Sequence, residues 1–534
     1  MFKFGVKNLR RLEKVGAIDI RPITVLVGRN SSGKSTYLRA LPLLRQSITT
    51  RTSSPILWYG DWVDFGDFDG SVFDNRPDSE IAFVFGLDRV ELEEDFVIGS
   101  DGEFYAYGAV NGDEAVFENL VLEISIAKSR LGTRISSISL TEPSNDICFI
   151  LRVSEAGDIT HITVNGVDMG REFGEWRLSV STGSILPTTS VTRKDKAPRV
   201  QQYGPAPSSQ IVRGAIASLV GSQLDKRITP PTLERLINPL FALGSVTKDK
   251  LREVAEKSSN RSWAKLLRDI SGADRGNRFQ RIRALLLVAK LPPLLNAATQ
   301  QLRGVISSTL YIGPARARSD RYYRYQDLSV SEIDPDGKNF PMFLNSLSAS
   351  QMQRFSEWVR SLFGYGVEVV KGAGHISINL VYESSSVNIV DTGYGVSQIL
   401  PVLGQVWWAN NRPKPRVWPR NQTRSPIIAI EQPELHLHPA HQALLADAFV
   451  SSIGHTTARD RQTRNHFILE THSETMINRL GALIAEGKVD PDDVQILIFD
   501  MDERNDHRTD VKIAKFDKHG ELLGWPFGFF LPPV

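Results

Sequence analysis

An α/β fold with an antiparallel β lobe and a helical insertion is what this 534-residue sequence predicts, and three observations carry the prediction. The first is Gly28-Arg29-Asn30-Ser31-Ser32-Gly33-Lys34-Ser35-Thr36, a Gly-rich loop that follows the apolar run Ile23-Thr24-Val25-Leu26-Val27. It opens a helical pattern through Leu38, Leu41 and Leu43. The second is a series of short runs rich in Val, Ile, Phe and Tyr between residues 80 and 205, broken by Gly, Asp and Asn, the punctuation of strands and hairpins. The third is helical spacing from about Ser208 to Ser307, as in Leu266, Leu267 and Ile270, after which apolar strands return.

Residues 1–60 read as a strand pair, the loop and its helix. Glycines let the backbone wrap a phosphate closely, and N–H groups at a helix start supply donors and partial positive charge. Asn30, Ser31, Gly33, Lys34, Ser35 and Thr36 are therefore expected to bind the phosphates of ATP. Lys34 reaches the β- and γ-phosphates in this reading, and Ser35 holds Mg²⁺.

The β-rich stretch includes Ile81–Phe85, Val121–Ser125 and Ile147–Val153. Pro187 to Ser209 is polar and Pro-containing and reads as a linker. Strands resume at Leu310–Ile312, His375–Val381, Ile427–Ile430, Phe467–Leu469 and Val494–Phe499, and Asn411 to Arg424 is a basic loop. The resulting division is 1–205, an N-terminal lobe with the phosphate loop and β-rich region; 206–307, the helical insertion; and 308–534, a C-terminal lobe.

Composition bounds the rest. Hydrophobic residues make up 41% and charged residues 23%, ordinary for a globular chain. The single cysteine, Cys148, excludes an internal disulfide framework and fits a reducing, cytoplasmic setting. The N-terminus lacks the apolar core of a signal peptide, and Ala284 to Leu295 is too short to span a bilayer, so no membrane partner is expected. Net charge is only +2 but uneven: 61–118 carries seventeen acids against two arginines, and Lys248–Lys290 carries twelve cations against five acids. Such blocks mark partner surfaces or solvated faces.

The second half of the site lies near the C-terminus, in Ile427-Ile428-Ala429-Ile430-Glu431-Gln432-Pro433-Glu434-Leu435-His436-Leu437-His438-Pro439. Four apolar residues ending in an acid make a buried strand whose tip presents Glu431 toward the phosphate loop, where it would orient the Mg²⁺ shell. A second strand ends Glu470-Thr471-His472-Ser473, placing His472 to approach the γ-phosphate. Between them, Asp391-Thr392-Gly393-Tyr394-Gly395-Val396-Ser397-Gln398 opens another helix from a Gly-rich turn.

Together these segments resemble the ATP-binding-cassette (ABC) class of ATPases, which implies an ABC-class P-loop NTPase head. That resemblance implies that Gly395 and Ser397 contact the γ-phosphate of the opposite subunit, with ATP joining a homodimer or a higher even oligomer. Glu-Gln-Pro-Glu-Leu-His-Leu-His-Pro and Glu-Thr-His-Ser resemble the soluble OLD, RecF and SMC-like branch. Tyr311–Arg316, Trp62–Phe68 and Gly520–Phe530 are similar to a bacterial OLD-like AAA family with a short C-terminal domain of unknown function. The motifs fall in about 1–75 and 310–530; the interior, roughly 80–305, resembles nothing identified. ATPases of this group are frequent in anti-phage systems of the Septu and retron-associated types, paired with a separate nuclease. One departure stands out: Gln432 sits where many relatives carry the catalytic glutamate. Glutamine orients water without taking its proton, so either Glu434 or His472 substitutes, or ATP acts mainly as a switch.

Other clusters read more plainly. Asp500-Met501-Asp502 is an ordinary acidic turn, and His436, His438 and His441 lack the spacing of a zinc site. Arg316, Arg318, Arg321 and Arg324 interleave with Tyr322, Tyr323 and Tyr325, which suits either nucleic acid or packing beside the ATP site. The functional expectation is a dimeric, slow ATPase regulating a nuclease effector, with nucleic-acid contact through 248–290 and 316–325. The rivals are an ATP-dependent DNA clamp in repair or chromosome maintenance, and a nucleotide-locked scaffold.

Overall fold

The computed structural model describes residues 2–75, 79–92, 95–98, 104–107, 116–130, 132–170, 176–193, 207–241, 243, 245–272, 277–411, 426–453, 464–502 and 508–525. Its centre is a seven-stranded sheet in the order Leu310–Ile312, Ile427–Glu431, His466–Glu470, Ile23–Gly28, Val494–Asp502, Arg508–Phe516, Leu522–Leu523. The first five strands are parallel and the last two antiparallel. Parallel strands covered on both faces read as continuous apolar runs, which is why Ile427–Ile430 and Ile23–Val27 show no polar alternation beyond Thr24.

Side chains still alternate between the two faces. Leu26, Ile427, Ala429, Ile468, Leu497 and Phe499 enter one core, shared with the loop helix Lys34–Thr49. Val25, Val27, Ile428, Ile430, Phe467, Leu469, Ile496 and Ile498 enter the other, shared with the C-terminal helices. By the same parity, the strand-ending acids Glu431 and Glu470 lie on the loop-helix side.

The second sheet has eight antiparallel strands and joins the N-terminal hairpin Phe2–Leu9 and Leu12–Asp19 to a meander running from Ile81–Glu91 through Val116–Ser129, Gly132–Glu142 and Ile147–Val153 to Ile159–Val164 and Val167–Asp168. Ile147–Val153 alternates buried and more exposed positions, as expected of a sheet with one covered face. Helices Pro207–Gly221, Pro230–Phe241, Lys248–Lys257, Arg261–Gly272 and Asn277–Ser307 follow. The last is long and apolar enough to cross a bilayer, but 67% of its apolar window is buried within the protein, where it packs on the loop helix and the β lobe.

Two expectations change here. The phosphate-loop strand from the N-terminal segment is hydrogen-bonded between two strands from the C-terminal segment, so the sheet crosses the boundaries at 205 and 307. The stretch read as a linker contains the strand Thr189–Arg193, paired with Trp176–Val180, and its last residues begin the helix at Pro207; 194–206 lie outside the described residues. The basic loop at 412–424, parts of the acidic 61–118 stretch, Arg275 and the ending at 526–530 also lie outside them.

The basic insertion is largely tied down. Arg283 donates to the carbonyls of Asn145 and Asp146, Arg281 to that of Asp168, and Arg278 to Gln223. The Arg281 and Arg283 contacts fasten Asn277–Ser307 to the turns of the β lobe, and the Arg278 contact ties it to the segment after Pro207–Gly221. Lys257, Arg261 and Lys265 remain exposed.

Candidate functional site

The loop between the strand Ile23–Gly28 and the helix Lys34–Thr49 is held by backbone conformations that few residues tolerate. Gly33 has φ 94°, and a Cβ there would meet Leu12 Cδ2 at 2.7 Å. A Cβ on Gly28 would lie 2.5 Å from the Phe499 carbonyl oxygen, so the loop can pass its neighbouring strand only as glycine. Ser31 also sits at positive φ, 62°. The loop encloses a cavity of about 340 Å³.

Asn30, Ser31, Gly33, Lys34, Ser35 and Thr36 all line that cavity, as do Gln432 and His472. Lys34 Nζ donates to the carbonyls of Gly28 (3.0 Å) and Arg29 (2.8 Å), folding back over the loop. Burial lowers its pKa, with Glu470 acting against the shift. Burial and then Lys34 lower the His472 pKa, which favours a neutral imidazole able to accept or donate a hydrogen bond. Gln432 is held at φ 43°, its N–H donating to the Glu470 carbonyl at 2.8 Å. Non-glycine residues held at positive φ are strained and concentrate at working sites.

The two strand-tip acids have different surroundings. Glu431 is 2% exposed, and both its oxygens are taken: Arg39 donates to Oε1 at 2.6 Å and to Oε2 at 2.7 Å, and Tyr311 OH donates to Oε1 at 2.8 Å. The Glu431 hydrogen bond raises the Arg39 pKa. The expectation that Glu431 presents its carboxylate to the phosphate loop therefore differs from the structure, where Glu431 faces the flank of the loop helix. Freeing it would leave the Arg39 guanidinium, 30% exposed, without its carboxylate partner.

Glu470 stands one strand nearer the loop. Its register partners are Glu431 on one side and Leu26 on the other. Ser35 Oγ donates to Glu470 Oε1 at 2.9 Å, Lys34 Nζ lies 4.0 Å from the same oxygen, and Oε2 is buried without a hydrogen-bond partner. Burial and then Glu431 raise its pKa, with Ser35 and Lys34 opposing. The motifs single out neither Glu470 nor Arg10 and Arg11 of the N-terminal hairpin turn, which also line the cavity. Counting parity back from Glu470 to Ile468 would have found the acid; nothing in the hairpin sequence marks the two arginines.

Glu434 lies outside this lining. Its Oε1 accepts the His472 N–H at 2.8 Å, so it fixes the strand end carrying His472, and burial raises its pKa. Arg316 is buried, donating to the carbonyls of Glu431 (2.9 Å) and Gln432 (3.2 Å), with its pKa lowered by burial to about 10. Arg321 pairs with Asp391 instead. Of the histidine group, His436 meets the Tyr394 ring, His438 caps its helix by accepting the Ala440 N–H, and His441 meets Phe363. Asp500 pairs with Lys512. Among the described residues no cluster of His, Cys, Asp or Glu is arranged to hold a metal by itself.

Gly395 and Ser397 are not brought to the cavity. They open the helix Tyr394–Asn411, where Ser397 Oγ donates to the Tyr394 carbonyl at 2.7 Å and a Cβ on Gly395 would sit 2.4 Å from the His436 carbonyl oxygen. Backbone donors of the loop, a cationic Lys34, the buried Ser32 hydroxyl without a partner and the unpartnered Glu470 oxygen fit a nucleotide phosphate chain with a divalent cation.

Comparison with known proteins agrees with this site. The model of an AAA ATPase domain matches residues 324–477. An AAA domain model named for the AbiEii toxin of a type IV TA system matches residues 23–174. No curated protein matches the chain. Among solved structures, the Smc head domain of Pyrococcus furiosus, bound to the C-terminal domain of ScpA, is 14% identical, with 96% of this chain and 97% of that chain covered and a TM-score of 0.32. The SMC head domain of Thermotoga maritima is 10% identical over 96% and 98%, with a TM-score of 0.28. The recombination mediator RecF with ATPγS is 10% identical over 96% and 98%, with a TM-score of 0.30. Likenesses of that size add nothing to the sheet order and loop geometry above. With AAA domain models matching both parts of its split core and a phosphate loop opening into a shared cavity, the chain is a P-loop ATPase carrying AAA ATPase-type domains.

Proposed function

We propose that this ATPase works as an ATP-closed dimer and serves as the sensor or regulatory subunit of a bacterial anti-phage complex controlling a separate nuclease. One observation carries the dimer: the cavity holds the loop, Gln432 and His472 of its own chain, while Gly395 and Ser397 open a helix elsewhere. A second copy, placed head to tail, supplies that helix to the γ-phosphate. Ser35 holds Mg²⁺, Lys34 bridges the β- and γ-phosphates, and neutral His472 contacts the γ-phosphate or the attacking water. Gln432 orients that water but cannot accept its proton, so turnover is slow. Glu434 supports His472 from behind.

The defence role is supported by the resemblance of the strand-end motifs and by the toxin-associated name of the model matching 23–174. The DNA-clamp reading, which favours long projecting arms, has less support, since Asn277–Ser307 packs on the loop helix and the β lobe. The test is Lys34→Ala. Wild type should hydrolyse ATP and shift from monomer to dimer with ATP in light scattering, and in its native operon should protect bacteria from phage. The variant should lose all three, with hydrolysis down ~10²-fold or more through loss of transition-state charge stabilisation. Undiminished hydrolysis would sink the site assignment, and undiminished protection the defence role.

A further inference from the structure

We infer that Glu470, rather than Glu431, is the carboxylate that sets the divalent cation against Ser35 in the nucleotide site. The inference rests on the ATPase reading and deepens it. A P-loop serine hydroxyl needs an acidic neighbour to orient it and the hydration shell of the cation. Two strand tips offer one. Glu431 lies on the second strand from the loop, and the strand His466–Glu470 intervenes. Glu431 instead turns to Arg39 and Tyr311, which occupy both its oxygens.

Glu470 belongs to the strand directly beside the loop strand, level with Leu26. It already accepts the Ser35 hydroxyl at 2.9 Å on Oε1. Its Oε2 is buried in the cavity wall with no partner. A buried, unpaired carboxylate oxygen is costly in a folded protein, and a bound cation removes that cost. Lys34 Nζ comes within 4.0 Å of Oε1 and makes no hydrogen bond to Oε2. Arg39 then has a distinct role: by neutralising Glu431 it keeps two adjacent acids from repelling each other at the same level of the sheet.

The experiment measures binding of a fluorescent ATP analogue in EDTA and across a Mg²⁺ titration, with Mn²⁺ affinity read independently by electron paramagnetic resonance. Glu470→Gln keeps the Ser35 hydrogen bond but removes the charge. It should bind the analogue in EDTA as wild type does, lose the Mg²⁺-dependent enhancement, and weaken Mn²⁺ binding by roughly 10–100-fold, the range for carboxylates that tune a metal site. Glu470→Asp, which retains the charge, should restore part of the Mn²⁺ affinity, and thermal melts should show both variants folded. Glu431→Gln should keep the metal enhancement and melt at a lower temperature, because Arg39 loses its partner. Metal enhancement retained in Glu470→Gln but lost in Glu431→Gln would overturn the inference and leave the ATPase reading intact. A wild-type protein that binds no nucleotide with or without metal would overturn both.

Discussion

Two Gly-rich turns in this chain open helices, and only one of them makes a pocket. The loop before Lys34–Thr49 encloses a cavity, with its lysine, its serine and three residues from neighbouring strand ends converging there. The turn before Tyr394–Asn411 has the same local chemistry, yet Ser397 bonds back to its own helix and Tyr394 is 45% exposed. The loop works because strands of the same sheet bring a carboxylate, a glutamine and a histidine to it. The second turn follows the small sheet Gly366–Lys371, His375–Val381 and Ser386–Asn388, and what meets it is the packing of His436 and Leu437 against Gly395 and Tyr394. A helix N-terminus alone is half a site; what surrounds it decides whether it completes one in its own chain or waits for another.

The strongest way to break that comparison is a mixture. Chains carrying Lys34→Ala and chains carrying Ser397→Arg should each be nearly inactive. A hetero-dimer has one site with both lesions and one with neither, so co-refolded mixtures should recover ATPase activity in proportion to the hetero-dimer formed. Verified hetero-dimers without recovery would show that Ser397 serves its own chain.

A smaller but still large effect is expected at Gln432, which lies in the loop cavity and should act on water there. Gln432→Glu adds a proton acceptor and should raise hydrolysis by up to roughly 10²–10⁴-fold with nucleotide affinity unchanged. A slower variant would mean that the amide, held at φ 43°, already places the water best.

How far the sequence disclosed these two turns differs in a physically instructive way. The phosphate loop was legible because glycine spacing, an apolar strand and a helix stand next to one another in the chain, and Asn30 to Thr36 all line the cavity. The five-strand parallel core was legible as apolar runs, although its order was not, since hydrogen-bonded neighbours such as Glu470 and Leu26 are far apart in sequence. Glu431 was misplaced because a strand-ending acid reveals its level in the sheet but not its partners; Arg39 and Tyr311 come from two other elements. Arg283 and Arg281 read as free positive charge, whereas carbonyl groups of the β lobe hold them. Charge counting along a helix does not detect partners more than a hundred residues away.

The basic insertion tests whether the loop half of the molecule also carries a partner surface. Lys257, Arg261 and Lys265 are exposed and separate from the tethered arginines. If nucleic acid binds there, changing all three to Glu should lower affinity and flatten the salt dependence by roughly 0.7–0.9 in log–log slope for each phosphate no longer neutralised. Basal ATPase activity should not change. Identical binding curves for the variant and wild type at every salt concentration would assign this face to solvent.

The smallest effects should come from the two glycines of the second turn, and they separate its structural from its functional part. A Cβ at Gly393 meets nothing within 4 Å, so Gly393→Ala should change stability by no more than about 0.5 kcal/mol, as surface substitutions usually do. A Cβ at Gly395 would stand 2.4 Å from the His436 carbonyl oxygen, a backbone atom with little room to retreat. Gly395→Ala should cost about 1–3 kcal/mol, the usual range for overpacking, and displace the segment that runs from Gln432 to His436. Because Gln432 begins that segment in the cavity, the damage should reach ATP turnover of the same chain as well as the opposite one. In mixtures with Lys34→Ala chains, Gly395→Ala should therefore be rescued less than Ser397→Arg. Equal rescue of the two would mean that the His436 contact only packs the turn and carries no coupling between the half-sites.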